Sequence, residues 1–241
     1  MGCMEMNARE RMLAAINRQS PDRVPTDIWA TPEVWAMLRN HFGGEAEAIT
    51  ALHIDGFRSV DAEYCGPTLP AVPPDEVVDY WGIRRRWIGH AGGRYDEQYF
   101  YPLAFAQTID DLDQYRWPQA SWFNYAHMKE QAAARHGTHL VKCGYMAPFY
   151  YHNLLRGLEQ SLIDPWLDPE FTHVLVQRIS DFFYDYHRRM FIACEGLIDV
   201  AEVTDDLGSQ HGPLISPQQY ETFYAPHHKR FIDLCHEFGI K

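Results

Sequence analysis

The 241-residue sequence has no stretch approaching the 18 apolar residues that mark a membrane-spanning helix. Its first residues, MGCMEMNARE, lack the basic and apolar regions of a signal peptide, and Met6 stands where a myristoylation signal requires Ser or Thr. Cysteine is scarce. Cys3, Cys65, Cys143, Cys194 and Cys235 are an odd number without framework spacing, which predicts reduced thiols and a cytoplasmic location. Acidic residues outnumber basic ones 33 to 21, arguing against a partner that is nucleic acid or an anionic membrane. No glycine-rich nucleotide fingerprint follows an apolar run, and internal repeats and low-complexity segments are missing. What is present is 46% hydrophobic residues in a chain long enough to bury a sizeable core.

Local signals alternate between helix and strand. Asn7 and Glu10 make a capping box for a helix through Arg18, and Ser20-Pro21-Asp22 turns the chain into a strand from Arg23 to Trp29. Thr31-Pro32 opens a second helix, residues 45–52 a third, and residues 56–61 a second strand. Residues 64–76 are proline-rich and read as a loop. Two strand-like runs, 77–88 and 95–101, flank Gly92-Gly93 and predict a hairpin foreign to a parallel sheet, an insertion of about 77–105. Thr108 caps a short acidic turn, Trp122 to His136 reads as a helix closed by Gly137, and His139 to Tyr145 as a third buried strand. Residues 153–163 are helical in pattern. Asp168-Pro169 then opens a helix of about seven turns with Phe171, Leu175, Ile179, Phe182, Tyr186 and Met190 toward the core.

The last 45 residues are the most legible. Leu197 to Thr204 is a short run rich in apolar residues, predicted as a buried parallel strand, and it ends on Asp205-Asp206. Ser216 is an N-cap, Pro217 sits at N1 and Gln219 closes a capping box. Tyr220, Tyr224, His227, Phe231, Leu234 and Phe238 then recur on one helical stripe, which Pro226 should kink. Gly239 fits the C′ position, and Ile240-Lys241 reads as the next strand beginning. Four parallel-type strands, each followed by helix, predict an α/β fold, and periodicity leaves open a barrel or a doubly wound sheet.

Several strings in order, RERMLAAINRQSPDRVPTDIW, WGIRRR, TIDDLDQYRWP, GLEQSLIDPWLDPE, DDLG, GPLISP and PHHKR, resemble the uroporphyrinogen decarboxylase superfamily. That superfamily includes the decarboxylases and the cobamide-dependent methyltransferases. The resemblance implies a (β/α)8 TIM barrel of which this single domain, residues 1–241, carries the first four βα units plus the hairpin, truncated at its C-terminal end. A half-barrel should expose apolar residues at 24–28, 140–141 and 198–203, and so form a homodimer, aggregate, or require its other half.

In barrels the functional side chains gather at the carboxyl ends of strands. Those positions are Trp29, Asp61, Cys143, Tyr145, Met146, Asp205, Asp206, Gln210 and His211. Adjacent carboxylates at Asp205-Asp206 could bind a ligand or perform acid/base work, or could cap the loop by accepting backbone N–H groups. By resemblance Asp61 corresponds to the essential aspartate of the decarboxylases. The family's paired arginines are replaced here by DIWATPEVW, and Leu154 stands near the position of its catalytic tyrosine, with Tyr150 and Tyr151 close by. These departures favour methyl transfer between a small methylated compound and a corrinoid over decarboxylation of a porphyrinogen, which would need no cofactor. The assigned residues are therefore Asp61 and Asp206 as catalytic, with Trp29, Tyr145, Asp205, Gln210 and His211 binding substrate. The methyltransferase branch implies zinc, with its ligands beyond Lys241, and a corrinoid, with a corrinoid protein as partner. Within the chain, His139 and Cys143 lie about 13 Å apart along a strand, too far for one zinc. The third reading is a non-catalytic half-barrel subunit or fragment. Arg84, Arg85 and Arg86 on the hairpin read mainly as a solvated face.

Overall fold

The computed structural model describes residues 5–241, so Cys3 and the extreme N-terminus lie outside the described residues. At the centre is a parallel three-stranded sheet of order β1 (Phe57–Ser59), β7 (Leu140–Met146), β8 (Val200–Val203). Phe57 pairs with Leu140 and Lys142 with Val200, and the register slips between Lys142 and Tyr145 around Gly144. Between these strands the chain forms the short antiparallel pair β2 (Glu63–Tyr64) with β6 (Phe123–Asn124), and the sheet β3 (Glu76–Val78), β4 (Arg84–His90), β5 (Gly93–Phe100). The expected hairpin is therefore the larger part of a three-stranded antiparallel sheet. A last small hairpin, β9 (Gly208–Ser209) with β10 (Gly212–Pro213), follows β8.

Ten α-helices among the described residues surround these sheets: α1 (Ala8–Ile16), α2 (Pro32–Phe42), α3 (Glu45–Ala51), α4 (Ile109–Gln114), α5 (Met128–His136), α6 (Pro148–Arg156), α7 (Leu158–Leu167), α8 (Pro169–Ala193), α9 (Pro217–Phe223) and α10 (Ala225–Glu237). Their starts follow local chemistry. Asn7 with Glu10, Thr108 with Asp111 and Ser216 with Gln219 are reciprocal capping boxes, and Thr31 and Asp168 cap with single bonds. The break between α9 and α10 at Tyr224 precedes Pro226, and Gly239 takes a left-handed φ of 70° to end the pair.

Four expectations change. The segment 23–29 is not a ladder strand: Pro25 has no N–H to donate, and the backbone–backbone bonds of the segment are those of the Thr26 carbonyl, which accepts from Asp55 N and Gly56 N. Three parallel strands remain, and those described do not close a barrel, so the architecture shown is α/β with a parallel sheet. The run 122–136 is helical only from Met128, because residues 120–124 turn to pair β6 with β2. Residues 148–167 are two helices, since Gly157 adopts a φ of 86° between them. Finally, the apolar strand residues expected at an open face divide: Leu140 and Val200 pack under Met12 of α1 and Val141 and Ile198 join the main core against α8 and α10, whereas Ile28 and Ala201 are half-buried and Val24 and Val203 are exposed.

Two ionic clusters tie α1 to the bottom of the sheet. Arg11 reaches Asp22 at 2.5 Å and the buried Asp55 at 2.6 Å, and Asp55 also takes both Nη atoms of Arg23 and the Thr26 N–H. Arg9 chelates Asp199, which in turn accepts the Val141 N–H at the start of β7. The RERM…SPDR wording is thus a fastening of the amino-terminal helix. At the far edge of β8, Lys241 N donates to Asp199 O and Lys241 O accepts from Ala201 N, so Lys241 continues the sheet in the parallel sense.

Candidate functional site

Two adjoining cavities that share Ser59 and Lys142 lie against the parallel sheet, the smaller of them at the carboxyl ends of β1 and β7. The larger, about 600 Å3, lies over the sheet face and is lined by Trp29, Phe57, Val200, Glu202 and Lys241 among others. The smaller, about 190 Å3, lies between the strand ends and α8 and is lined by Asp61, Tyr80, Tyr145, Tyr151, Phe183 and Tyr186 together with His187 and Met190.

Each wall has a local origin. Phe183, Tyr186, His187 and Met190 sit at i, i+3, i+4 and i+7 of α8, hence on one face of it. His187 is fully buried and oriented from both sides: Nδ1 lies 2.6 Å from the Phe183 carbonyl, and Nε2 lies 3.0 Å from Tyr145 N. Those partners define a neutral ring that donates through Nδ1 and accepts through Nε2. Burial pushes its pKa down to about 4, with the Phe183 carbonyl pulling the other way. Gly144, with a φ of 99°, passes so close that an added Cβ would fall 2.6 Å from His187 Cδ2. The backbone of β7 is therefore pressed onto α8 where the register slips, and Tyr145 turns toward the cavity.

Asp61 lies two residues past β1. Loss of hydration among the surrounding rings raises its pKa above the usual carboxylate range, and Lys142 partly offsets this. Lys142 extends from β7 and is ion-paired with Glu202 of β8 on the same sheet face. The phenols are also raised, Tyr80 and Tyr145 to about 12, chiefly by burial and further by neighbouring carboxylates. The site is a ring-walled cleft with a carboxyl group that gains a proton more readily than an ordinary aspartate. Asp61 and Tyr145 are exposed at its mouth, so it can admit a small ligand from solvent and move a proton at Asp61.

Of the residues singled out in the sequence, Asp61 and Tyr145 line the smaller cavity and Trp29, 96% exposed, lines the larger. Asp205 sits elsewhere: its carboxylate accepts the N–H groups of Phe149 at 3.0 Å and Tyr150 at 2.8 Å and so caps α6, whose own N-cap Ala147 has no side chain to do it. His228 Nε2 approaches the same carboxylate at 3.0 Å, out of line for a hydrogen bond. Asp206, Gln210 and His211 are exposed at and around the β9–β10 hairpin and line neither cavity. Cys143 and Met146 are buried in the core, and burial raises the Cys143 thiol well above its ordinary pKa. Tyr151 faces the smaller cavity while Leu154 packs on the core.

Lys142, Glu202, Tyr80, Tyr186 and His187 were missed. A charged residue inside each of the apolar runs of β7 and β8 was the available signal for the first two. The rings gave none, because a tyrosine on a core-facing stripe has the same spacing whether its hydroxyl meets protein or a cavity.

No three His, Cys, Asp or Glu side chains among the described residues converge so as to hold a metal ion, so these residues do not fit a zinc site. The imidazole facing the cavities is His187, whose two nitrogens are engaged, so neither cavity offers an axial ligand to a corrinoid. No helix among the described residues is long and apolar enough to cross a membrane.

No protein-family model and no curated protein sequence matches this chain. Among solved structures it is similar to a methyltransferase from Methanosarcina mazei, with a TM-score of 0.57 and 16% identity over 98% of this chain and 68% of that one. At that identity the likeness is one of fold.

Proposed function

We propose that the chain is the substrate-binding portion of a barrel enzyme in the methyltransferase branch of the uroporphyrinogen decarboxylase superfamily, transferring a methyl group from a small methylated compound to a corrinoid. The observation that carries this reading is the cleft at the strand ends, where the exposed Asp61 borders half-buried aromatic rings at the place a barrel enzyme keeps its chemistry. The fold shared with the Methanosarcina mazei methyltransferase supports the reaction type. The lining of the cavities supports it over porphyrinogen decarboxylation: neither cavity is lined by an arginine, so a substrate with several carboxylates would find two lysines, Lys241 and Lys142, the latter already paired with Glu202.

In this reading a corrinoid carried by a partner protein would supply the cobalt that takes the methyl group, and Trp29, exposed at the larger cavity, would face it. The chain's own residues position the donor against Lys142 and Asp61; a protonated Asp61 gives the proton that an alkoxide or thiolate leaving group takes up, and an onium donor, which leaves as a neutral molecule, requires none. The test is an absorbance assay of corrinoid methylation. The full-length protein is mixed with reduced cobalamin and a panel of methyl ethers, thioethers, methylamines and onium compounds. Methylation dependent on one donor class supports the proposal, and none with any donor overturns it.

A further inference from the structure

We infer that the smaller cavity selects a methylated onium headgroup, a quaternary ammonium or tertiary sulfonium, held by the tyrosine rings with Asp61 as counter-charge. This names the donor class and so rests on the methyl-transfer reading of the same site.

Three independent features converge. The first is shape: about 190 Å3 is room for about six waters, too small for a macrocycle and suited to a headgroup of a few heavy atoms. The second is the wall. Tyr80, Tyr145, Tyr151, Phe183 and Tyr186 surround the space; Tyr151 meets Phe183 at 71° and Tyr186 meets the His187 ring at 78°, while Phe183 lies at 30° to His187. Aromatic rings line several sides of the space, and the negative face of an aromatic ring attracts a cation whose charge is spread over methyl groups that cannot donate strong hydrogen bonds.

The third is the field. Asp61 and Asp79 act on Tyr80, Asp61 on Tyr186, and Asp205, Glu202 and Asp206 on Tyr145, in each case raising the phenol. The cation on the cavity wall is Lys142, and Glu202 neutralises it. His187 adds no charge, because burial and its two partners keep it neutral. A cleft of this sign repels anions and concentrates cations. The hydroxyls of Tyr145, Tyr151 and Tyr186 have no hydrogen-bond partner among the described residues, which leaves them free to meet an oxygen on the ligand's tail.

The experiment is calorimetric titration of the full-length protein with choline, glycine betaine and dimethylsulfoniopropionate, alongside 3,3-dimethylbutanol, the uncharged carbon isostere of choline. The expected result is binding of at least one onium compound about tenfold or more tighter than the isostere. Asp61→Asn should narrow that gap, Tyr186→Phe should leave it within about threefold, and Tyr186→Leu should remove it. Which onium binds distinguishes ammonium from sulfonium. Equal binding of the isostere, or no binding of any onium by a protein that methylates cobalamin from a neutral donor, overturns this inference and leaves methyl transfer standing. Onium binding without any methyl transfer would leave the site intact and remove the reaction.

Discussion

His187 of α8 accepts the Tyr145 backbone N–H at 3.0 Å, and that single bond fixes the helix against the strand end from which the candidate cleft opens. The imidazole can accept only while Nε2 is unprotonated, so the joint between helix and sheet carries a pH dependence.

The sign follows from the lowered pKa. Between the ordinary value of 6.5 and the folded value of about 4, the unfolded chain binds a proton at His187 that the folded chain does not. Stability is therefore lost as pH falls from about 6.5 to about 4, by about 3 kcal/mol from this residue. His227, also lowered to about 4 by burial, acts in the same direction over the same window. Thermal melts across this range should show the decline, and His187→Gln, which retains a donor and an acceptor, should flatten it. A melting temperature independent of pH in wild type would remove the argument.

Gly144→Ala should destabilise by about 3 kcal/mol, because the new methyl both meets His187 and sits at a left-handed φ. Gly208→Ala, where nothing lies within 4 Å of the added carbon, should stay within about 0.5 kcal/mol. Urea unfolding of the two variants gives the comparison directly.

The two adjacent aspartates after β8 should part company. Asp205→Ala removes the cap of α6 and leaves two N–H groups unpaired, at a cost of about 2 kcal/mol. Asp206→Ala, at an exposed site, should change stability by about 0.5 kcal/mol or less. Equal losses in urea unfolding would show that the pair acts as one unit.

These residues also show how far the sequence could be read. Capping boxes, the proline break before α10 and the Gly239 terminus involve atoms within a few residues of one another, so the order of letters is sufficient to identify them. The segment 23–29 was misread because its apolar run suited a strand, whereas strand pairing is decided by partners and Pro25 removes one donor. For Asp205 both readings were open. Choosing between them required knowing that α6, more than fifty residues earlier, begins with an alanine at its N-cap and points at β8. The aromatic cleft depends on five parts of the chain meeting: Asp61 after β1, Tyr80 between β3 and β4, Tyr145 in β7, Tyr151 in α6 and the 183–190 face of α8. Nothing local marks that meeting.

Asp55 offers a test of the fastening at the base of the sheet. It is 2% exposed and bound by Arg11, Arg23 and Thr26, so Asp55→Ala leaves two guanidinium groups without their partner and should cost about 3 to 5 kcal/mol. Chemical denaturation checks the magnitude. A loss under about 1 kcal/mol would mean that the cluster is solvated and contributes little.

The most direct test of the central claim is the rate of cobalamin methylation by Asp61→Asn, measured on the best donor beside its melting temperature. Asn keeps the shape of the side chain and removes both the charge and the exchangeable carboxyl proton. The account predicts that kcat/KM falls at least about tenfold, equivalent to about 1.4 kcal/mol, with the melting temperature within a few degrees of wild type. An unchanged kcat/KM in a folded Asp61→Asn protein would contradict it.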